Sequence, residues 1–328
     1  MPFENFMAMA LYDPNFGYYT TSIDDIGGDR GDFATSATLS GALGRAIAKW
    51  LLEEKECYEW DNPIPVIEVG AGNGALADQV LRALGWWKRR QFRYHIVEVS
   101  RPLRKRQEHA LRSQPVEWYD SMADALEVTG GRALIFSNEL VDAFPAKWLC
   151  WSEIEQCWLE VFVQYHREKG LQELFRPLPK GFPEENYSAL TLDRPDQGQR
   201  VEIQPLFQLW LGNLAEHLEE GSLLTIDYGG RPEEIYDRRP DGTVRAYYRQ
   251  QRMEGGEIYQ RFGKQDLTVD VNFEDISDWG EDFGLSSISE ESQAAFLSRY
   301  GETGDAMAET EAGEAFRVLL QRKGGSRD

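Results

Sequence analysis

The stretch Val66-Ile67-Glu68-Val69-Gly70-Ala71-Gly72-Asn73-Gly74 decides how the rest of the chain is read. Val66 to Val69 make a short, mostly β-branched strand. The glycines then alternate with small residues, and Ala75 to Leu84 places Leu76, Val80 and Leu84 on one helical face. Glycines between a strand and a helix permit a tight turn and let a ligand approach the backbone. In open α/β sheets, ligands bind beyond the carboxyl ends of the strands.

Working outward, the alternation continues. Tyr94 to Val99 reads as the next strand, and Pro102 to Leu111 as a helix with proline in its first turn. Val116-Glu117-Trp118 is a third, weak strand, Ala133 to Phe136 a fourth and Ser222 to Ile226 a fifth. Strands that alternate with helices imply an α/β fold with a parallel, Rossmann-like sheet. We assign residues 61–145 and 204–328 to this core, with Phe316 to Leu320 as a closing strand. Residues 1–60 form an N-terminal helical extension, in which Leu43, Ile47, Trp50 and Leu51 mark an amphipathic helix over 38–54. Residues 146–203, rich in tryptophan and proline, read as a β-rich insertion. Residues 228–270, polar and rich in glycine and tyrosine, read as a lid loop over the site.

Composition narrows the function. The chain has 328 residues, 41% hydrophobic and 28% charged, as in a globular protein. A net charge of −21 repels phosphate backbones and disfavours general nucleic-acid binding. It favours a basic partner, such as a cationic peptide segment. Cys57, Cys150 and Cys157 are odd in number and lack CxxC spacing, which argues against a disulfide framework or a zinc site. No run of apolar residues is long enough to span a bilayer. With neither a signal peptide nor a transit peptide evident, a cytoplasmic location is the default expectation.

The glycine turn alone leaves two cofactors open. Gly70, Gly72 and Ala75 fit the dinucleotide fingerprint, and Glu98 stands near where that pattern places an acid on the ribose. Glu68 separates the readings. A carboxylate here repels a pyrophosphate, which seeks a bare helix N-terminus. It attracts the cationic methionine portion of S-adenosylmethionine, so Glu68, Gly70, Gly72, Gly74 and Glu98 are the candidate cofactor residues. A dinucleotide oxidoreductase is the weaker alternative.

Ser137-Asn138-Glu139-Leu140-Val141-Asp142-Ala143-Phe144-Pro145 follows the fourth strand at the same carboxyl edge. A guanidinium substrate stays charged and calls for carboxylates that match its planar fork. Glu139 and Asp142 suit that role, and Asn138 suits a contact to cofactor or substrate nitrogen. Asp227, after the fifth strand, is a further substrate-facing acid or a turn residue.

Several blocks in order carry a resemblance. They are Leu11 to Tyr19, Gly31-Asp32-Phe33-Ala34-Thr35-Ser36, Glu68 to Gly74, Ser137 to Pro145, Ile226-Asp227-Tyr228-Gly229 and Gln265 to Phe273. Together they resemble the MidA-like family of methyltransferases over nearly the whole chain. The resemblance implies a class I methyltransferase that uses S-adenosylmethionine, with Thr35 and Ser36 folding over the cofactor and Asn138 and Asp142 bordering the reacting methyl group. Mitochondrial members methylate an arginine on a respiratory complex I subunit, which implies a protein partner with an arginine-containing segment. Ala37-Thr38, Arg249-Gln250 and Asp270 depart from the family pattern in substrate-facing parts. These departures support an alternative, a non-catalytic assembly factor that retains the cofactor fold.

Overall fold

The computed structural model describes residues 1–22, 41–193, 195–237, 239–249, 251–302 and 314–324. The chain forms two compact units. One, the sheet unit, comprises Asp24–Leu140, Trp210–Tyr228 and Ser277–Asp328. The other comprises Met1–Ile23, Val141–Leu209 and Gly229–Ile276. The stretch read as one N-terminal extension is thereby shared: the helix Phe3–Tyr12 falls in the second unit, and the helix Ala42–Glu54 in the sheet unit.

The first strands are β1 (Ile64–Val69), β2 (Phe92–Val97), β3 (Val116–Tyr119) and β4 (Arg132–Asn138). Then come β5 (Lys147–Ser152), β6 (Cys157–His166), β7 (Gly170–Pro177), β8 (Arg200–Ile203) and the long β9 (Glu220–Gly230). Short strands β10 (Arg245–Tyr248), β11 (Gln251–Met253), β12 (Asp266–Thr268) and β13 (Val271–Asn272) precede β14 (Ser286–Ser292) and β15 (Phe316–Lys323).

The sheet unit carries the order β14-β15-β9-β4-β1-β2-β3. β1 lies parallel to both β2 and β4, with Glu68 level with Ile96 and Phe136. β9 is parallel to β4, whereas β15 runs antiparallel to β9 and β14. The chain moves outward from β1 to β3, then returns to lay β4 on the other side of β1. That reversal leaves a crevice beyond the carboxyl ends of β1 and β4.

Helices cover the strands, so the central ones are mostly apolar, with Glu68, Ser137 and Asn138 towards their carboxyl ends. Val66, Ile67, Leu134, Ile135 and Phe136 are fully buried. Leu43, Ile47 and Trp50 of the helix Ala42–Glu54 join Leu76, Val80 and Leu84 of the helix Ala75–Lys88 in this core. Each such side chain contributes roughly 1.5–3 kcal/mol by leaving water. Glu54 ends its helix as a buried side chain. It accepts Arg322 Nε at 2.6 Å and Nη2 at 2.8 Å, as well as the Ser222 hydroxyl. This fork ties the helix to β15.

In the second unit, β5 to β8 form an antiparallel sheet of order β7-β6-β5-β8. β10 to β12 form another, of order β11-β10-β12. The expectation of a loop across 228–270 is therefore corrected, because residues 245–248, 251–253 and 266–268 are paired strands. Strands of three or four residues are too short to show a period, and β10 also pairs with β12, about twenty residues further on. Glu202 pins this region. It accepts the Thr243 amide at 2.9 Å, the Thr243 hydroxyl at 2.8 Å and the Tyr236 hydroxyl at 3.1 Å. Burial raises its pKa against these bonds.

Candidate active site

The glycine turn has the backbone its sequence demands. Gly70, Gly72 and Gly74 have φ of 68°, 56° and 84°, in the left-handed region that side chains disfavour. A Cβ on Gly70 would also come within 2.7 Å of Leu140 Cδ1. The Asn73 side chain accepts the Ala75 amide at 3.0 Å, an Asx turn just before the following helix.

Two carboxylates sit at the carboxyl ends of adjacent strands. Glu68, near the end of β1, is 2% exposed and accepts the Tyr94 hydroxyl at 2.5 Å. Burial pushes its pKa up to about 7. The Tyr94 bond opposes the rise and the nearby Glu98 charge adds to it. Glu98, just past β2, is also buried, and burial raises its pKa. Its Oε1 accepts the Ser100 amide at 2.8 Å and its Oε2 accepts Gln107 Nε2 at 2.8 Å.

Gln107 joins these parts, and sequence reasoning missed it. Its Nε2 also donates to the Gly72 carbonyl at 2.9 Å, and its Oε1 accepts the Trp118 indole at 3.1 Å. The residue is fully buried and its Cα would lie 3.4 Å from a Cβ on Gly74. A signal did exist: Leu103, Gln107 and Leu111 recur every four residues, so one polar group interrupts an apolar stripe.

At the end of β4 the chain turns sharply. Glu139 is half-buried and has φ of 51°, a left-handed conformation rare for a residue with a Cβ. Such strain is retained where surrounding structure over-determines it. Here the Glu139 amide donates to Ile226 O at 2.9 Å, and Asn138 Nδ2 donates to Glu139 Oε1 at 3.0 Å. Asp227 is fully buried. Its Oδ2 accepts the Leu140 amide at 3.2 Å and its Oδ1 accepts its neighbour's amide, Tyr228, at 3.0 Å. Asp227 therefore holds the turn that sets Leu140 against Gly70.

Glu68, Gly70, Gly72, Gly74, Glu98, Asn138, Glu139 and Asp227 thus all belong to the carboxyl edge of one sheet. Asp142, although only three residues from Glu139, is counted with the second unit, where it is buried in the turn Val141–Ala143. Its carbonyl accepts the Val269 amide at 3.2 Å. Thr35, Ser36, Ala37 and Thr38 lie outside the described residues, as does Gln250. Of the departures from the family pattern, Asp270 has a clear structural role: it accepts Arg245 Nη1 at 2.6 Å and also pairs with Arg239. Among the described residues, no cluster of His, Cys, Asp or Glu is arranged to hold a metal.

A mostly parallel sheet with a strand-order reversal beside β1, a glycine turn and acids on the first two strand ends define a Rossmann-like class I methyltransferase. Residues 46–290 match the family described as "Putative S-adenosyl-L-methionine-dependent methyltransferase", and the chain belongs to that family. It is similar to the mitochondrial protein arginine methyltransferase NDUFAF7 homolog of Drosophila melanogaster, at 28% identity over 91% of this chain and 71% of that protein. The mitochondrial mouse protein arginine methyltransferase NDUFAF7 is 25% identical over 90% of this chain and 70% of its own length. A superfamily member from Burkholderia thailandensis, crystallised with S-adenosyl-homocysteine, superposes with a TM-score of 0.82. It is 26% identical, and the match covers 100% of this chain and 89% of that one. S-adenosylmethionine is accordingly the cofactor class, and the dinucleotide alternative is set aside.

The expected cytoplasmic location is overturned. The curated relatives that the chain resembles are named as mitochondrial proteins.

Proposed function

We propose that this protein transfers a methyl group from S-adenosylmethionine to an arginine nitrogen of a protein substrate. The observation that carries the reading is the similarity, along nine-tenths of the chain, to proteins named protein arginine methyltransferases. Glu139 is its local support: a carboxylate held in a strained turn at the carboxyl edge, beside the cofactor turn.

The residues fit the cofactor. Gly70, Gly72 and Gly74 leave the turn without side chains, and two acids suit a cationic ligand. In this reading Glu68 favours the methionine end and Glu98 takes the ribose hydroxyls. Thr35 and Ser36, which lie outside the described residues, are assigned to the cofactor on the family resemblance alone. When bound, S-adenosylmethionine supplies a methyl group on a positively charged sulfur. Glu139 pairs with the guanidinium and aims one nitrogen along the line opposite the sulfur. The nitrogen–carbon bond forms as the carbon–sulfur bond breaks, with the electron pair passing to sulfur. The displaced guanidinium proton goes to Glu139 or to water. Asn138 steadies Glu139, and Asp227 acts by holding Leu140 in place. Asp142 stays in the proposal on its motif alone.

The partner is a protein with an arginine-containing, basic segment, and the family resemblance makes a respiratory complex I subunit the first to test. Mass spectrometry on substrate proteins incubated with the enzyme and labelled cofactor is the deciding measurement. Label on arginine, lost with Glu139→Gln, supports the proposal. Label confined to another residue type, or to a small molecule, refutes it.

A further inference from the structure

From Arg82 to Arg112 the chain carries ten lysines and arginines against two acids, Glu98 and Glu108. This stretch is formally +8 in a chain of −21. Some of its cations are already matched: Arg82 pairs with Asp78, Arg93 with Glu117, and Arg104 with Glu108 and Asp120. Lys88, Arg90 and Arg112 are exposed, whereas Arg101 opens the helix Arg101–Ala110 at the carboxyl end of β2 and is not counted with them.

Two adjacent tryptophans stand out on this basic surface. Trp86 is 49% and Trp87 76% exposed, with ring centroids 4.4 Å apart and nearly perpendicular. The Arg90 guanidinium lies 3.6 Å over the Trp86 ring. Their exposure has a backbone cause. Gly85, with φ of 66° and ψ of 174°, breaks the helix Ala75–Lys88 and turns the pair away from its buried face. The helix starts at the carboxyl end of β1 and ends just before β2 begins. The tryptophans therefore lie at the amino-terminal edge of the sheet, opposite the glycine turn. Arg89 Nη1, donating to Gln114 Oε1 at 2.7 Å, ties that edge to the chain just after Arg112.

We propose that the Trp86–Trp87 pair and its flanking cations form a docking surface for an anionic phospholipid bilayer. Tryptophan favours the headgroup level, where its ring is apolar and its N–H stays hydrated. Lysines and arginines beside it are drawn to anionic headgroups, and that attraction fades within a Debye length. The remaining acidity of the chain repels the same surface, so the patch fixes the orientation of approach. A single-stranded nucleic acid is the less suitable occupant. It needs aromatic rings spaced along a basic groove, whereas these two rings abut and one is already capped by Arg90. Docking by this edge leaves the cofactor edge facing away from the bilayer.

Co-sedimentation with vesicles tests the proposal. Vesicles of phosphatidylcholine containing phosphatidylglycerol are compared with phosphatidylcholine alone, at low and at physiological salt. The protein binds the anionic vesicles at least tenfold better than the neutral ones, and salt weakens this binding. Trp86→Ser/Trp87→Ser and Lys88→Glu/Arg90→Glu each reduce it tenfold or more, while binding of S-adenosyl-homocysteine is unchanged. If the tryptophan double variant loses S-adenosyl-homocysteine binding, Trp87→Ser alone and the charge variant decide. No binding to anionic vesicles overturns the proposal, as does equal binding to neutral ones. Retained binding in the variants overturns it too, as does tighter binding to a single-stranded oligonucleotide than to the vesicles.

Discussion

Gln107→Leu is the change from which the site has most to lose for least alteration in size. The wild-type side chain makes three bonds: to the Glu98 carboxylate, the Gly72 carbonyl and the Trp118 indole. The two neutral bonds are worth about 1 kcal/mol each and the one to the carboxylate about 2, so the gross loss is roughly 4 kcal/mol. Burying a leucine in the same space returns roughly 1.5–3 kcal/mol, which leaves a net destabilisation of about 1–2.5 kcal/mol. The effect on the cofactor is more specific. With Gln107 gone, Glu98 loses the bond that orients it and the Gly72 carbonyl loses its tether. Affinity for S-adenosyl-homocysteine is expected to fall about tenfold, equivalent to about 1.4 kcal/mol. Isothermal titration measures this, with circular dichroism to verify folding. Trp118→Phe serves as the control, since it removes only the indole donor. A folded Gln107→Leu protein with wild-type affinity would refute the argument. So would a Trp118→Phe variant as impaired as Gln107→Leu, because the bonds to Glu98 and Gly72 would then carry no weight.

Three further outcomes follow from the same geometry. Glu68 has its pKa raised to about 7 from an ordinary 4.5, so the folded protein holds the proton more tightly than the unfolded chain. Its contribution to stability is full below about pH 4.5 and is lost as pH rises through about 7, a change of roughly 3 kcal/mol. Urea unfolding across that window should therefore show a steeper fall for wild type than for Glu68→Gln, and parallel curves would contradict the assignment. Glu54→Ala strands the Arg322 guanidinium and should cost about 3–5 kcal/mol; a loss under ~1 kcal/mol by chemical denaturation would mean the fork is unimportant. Gly70→Ala forces a left-handed alanine, costing about 1–2 kcal/mol before its Cβ meets Leu140, and should weaken S-adenosyl-homocysteine binding. Undiminished affinity in that variant would separate the turn from the cofactor site.

The local parts of the site were legible because their causes are local. Val66 to Val69 are β-branched around Glu68, the next five residues hold three glycines, and Leu76, Val80 and Leu84 recur at helical spacing. These preferences act within a few residues of each other, so strand, turn and helix follow from the order of side chains alone. Asn138 and Glu139 were legible as a polar turn after an apolar strand for the same reason. Asp227 was ambiguous, because an acid before a glycine suits either a turn or a substrate. Only the parallel pairing of β9 with β4 brings its carboxylate to the Leu140 amide, 87 residues away.

The glycine turn itself therefore belongs to the sequence, since left-handed φ at Gly70, Gly72 and Gly74 is a property that these residue types permit and others resist. What holds that turn against Glu98 belongs to the tertiary structure. Gln107 reaches the Gly72 carbonyl across 35 residues, and the sheet must form before the two can meet. The spacing of Leu103, Gln107 and Leu111 marks a polar group in an apolar stripe, but not the distant partner it meets. The pairing of β10 with β12 and the division of the first 60 residues between two units were decided in the same way, by partners that the folded chain brings within reach.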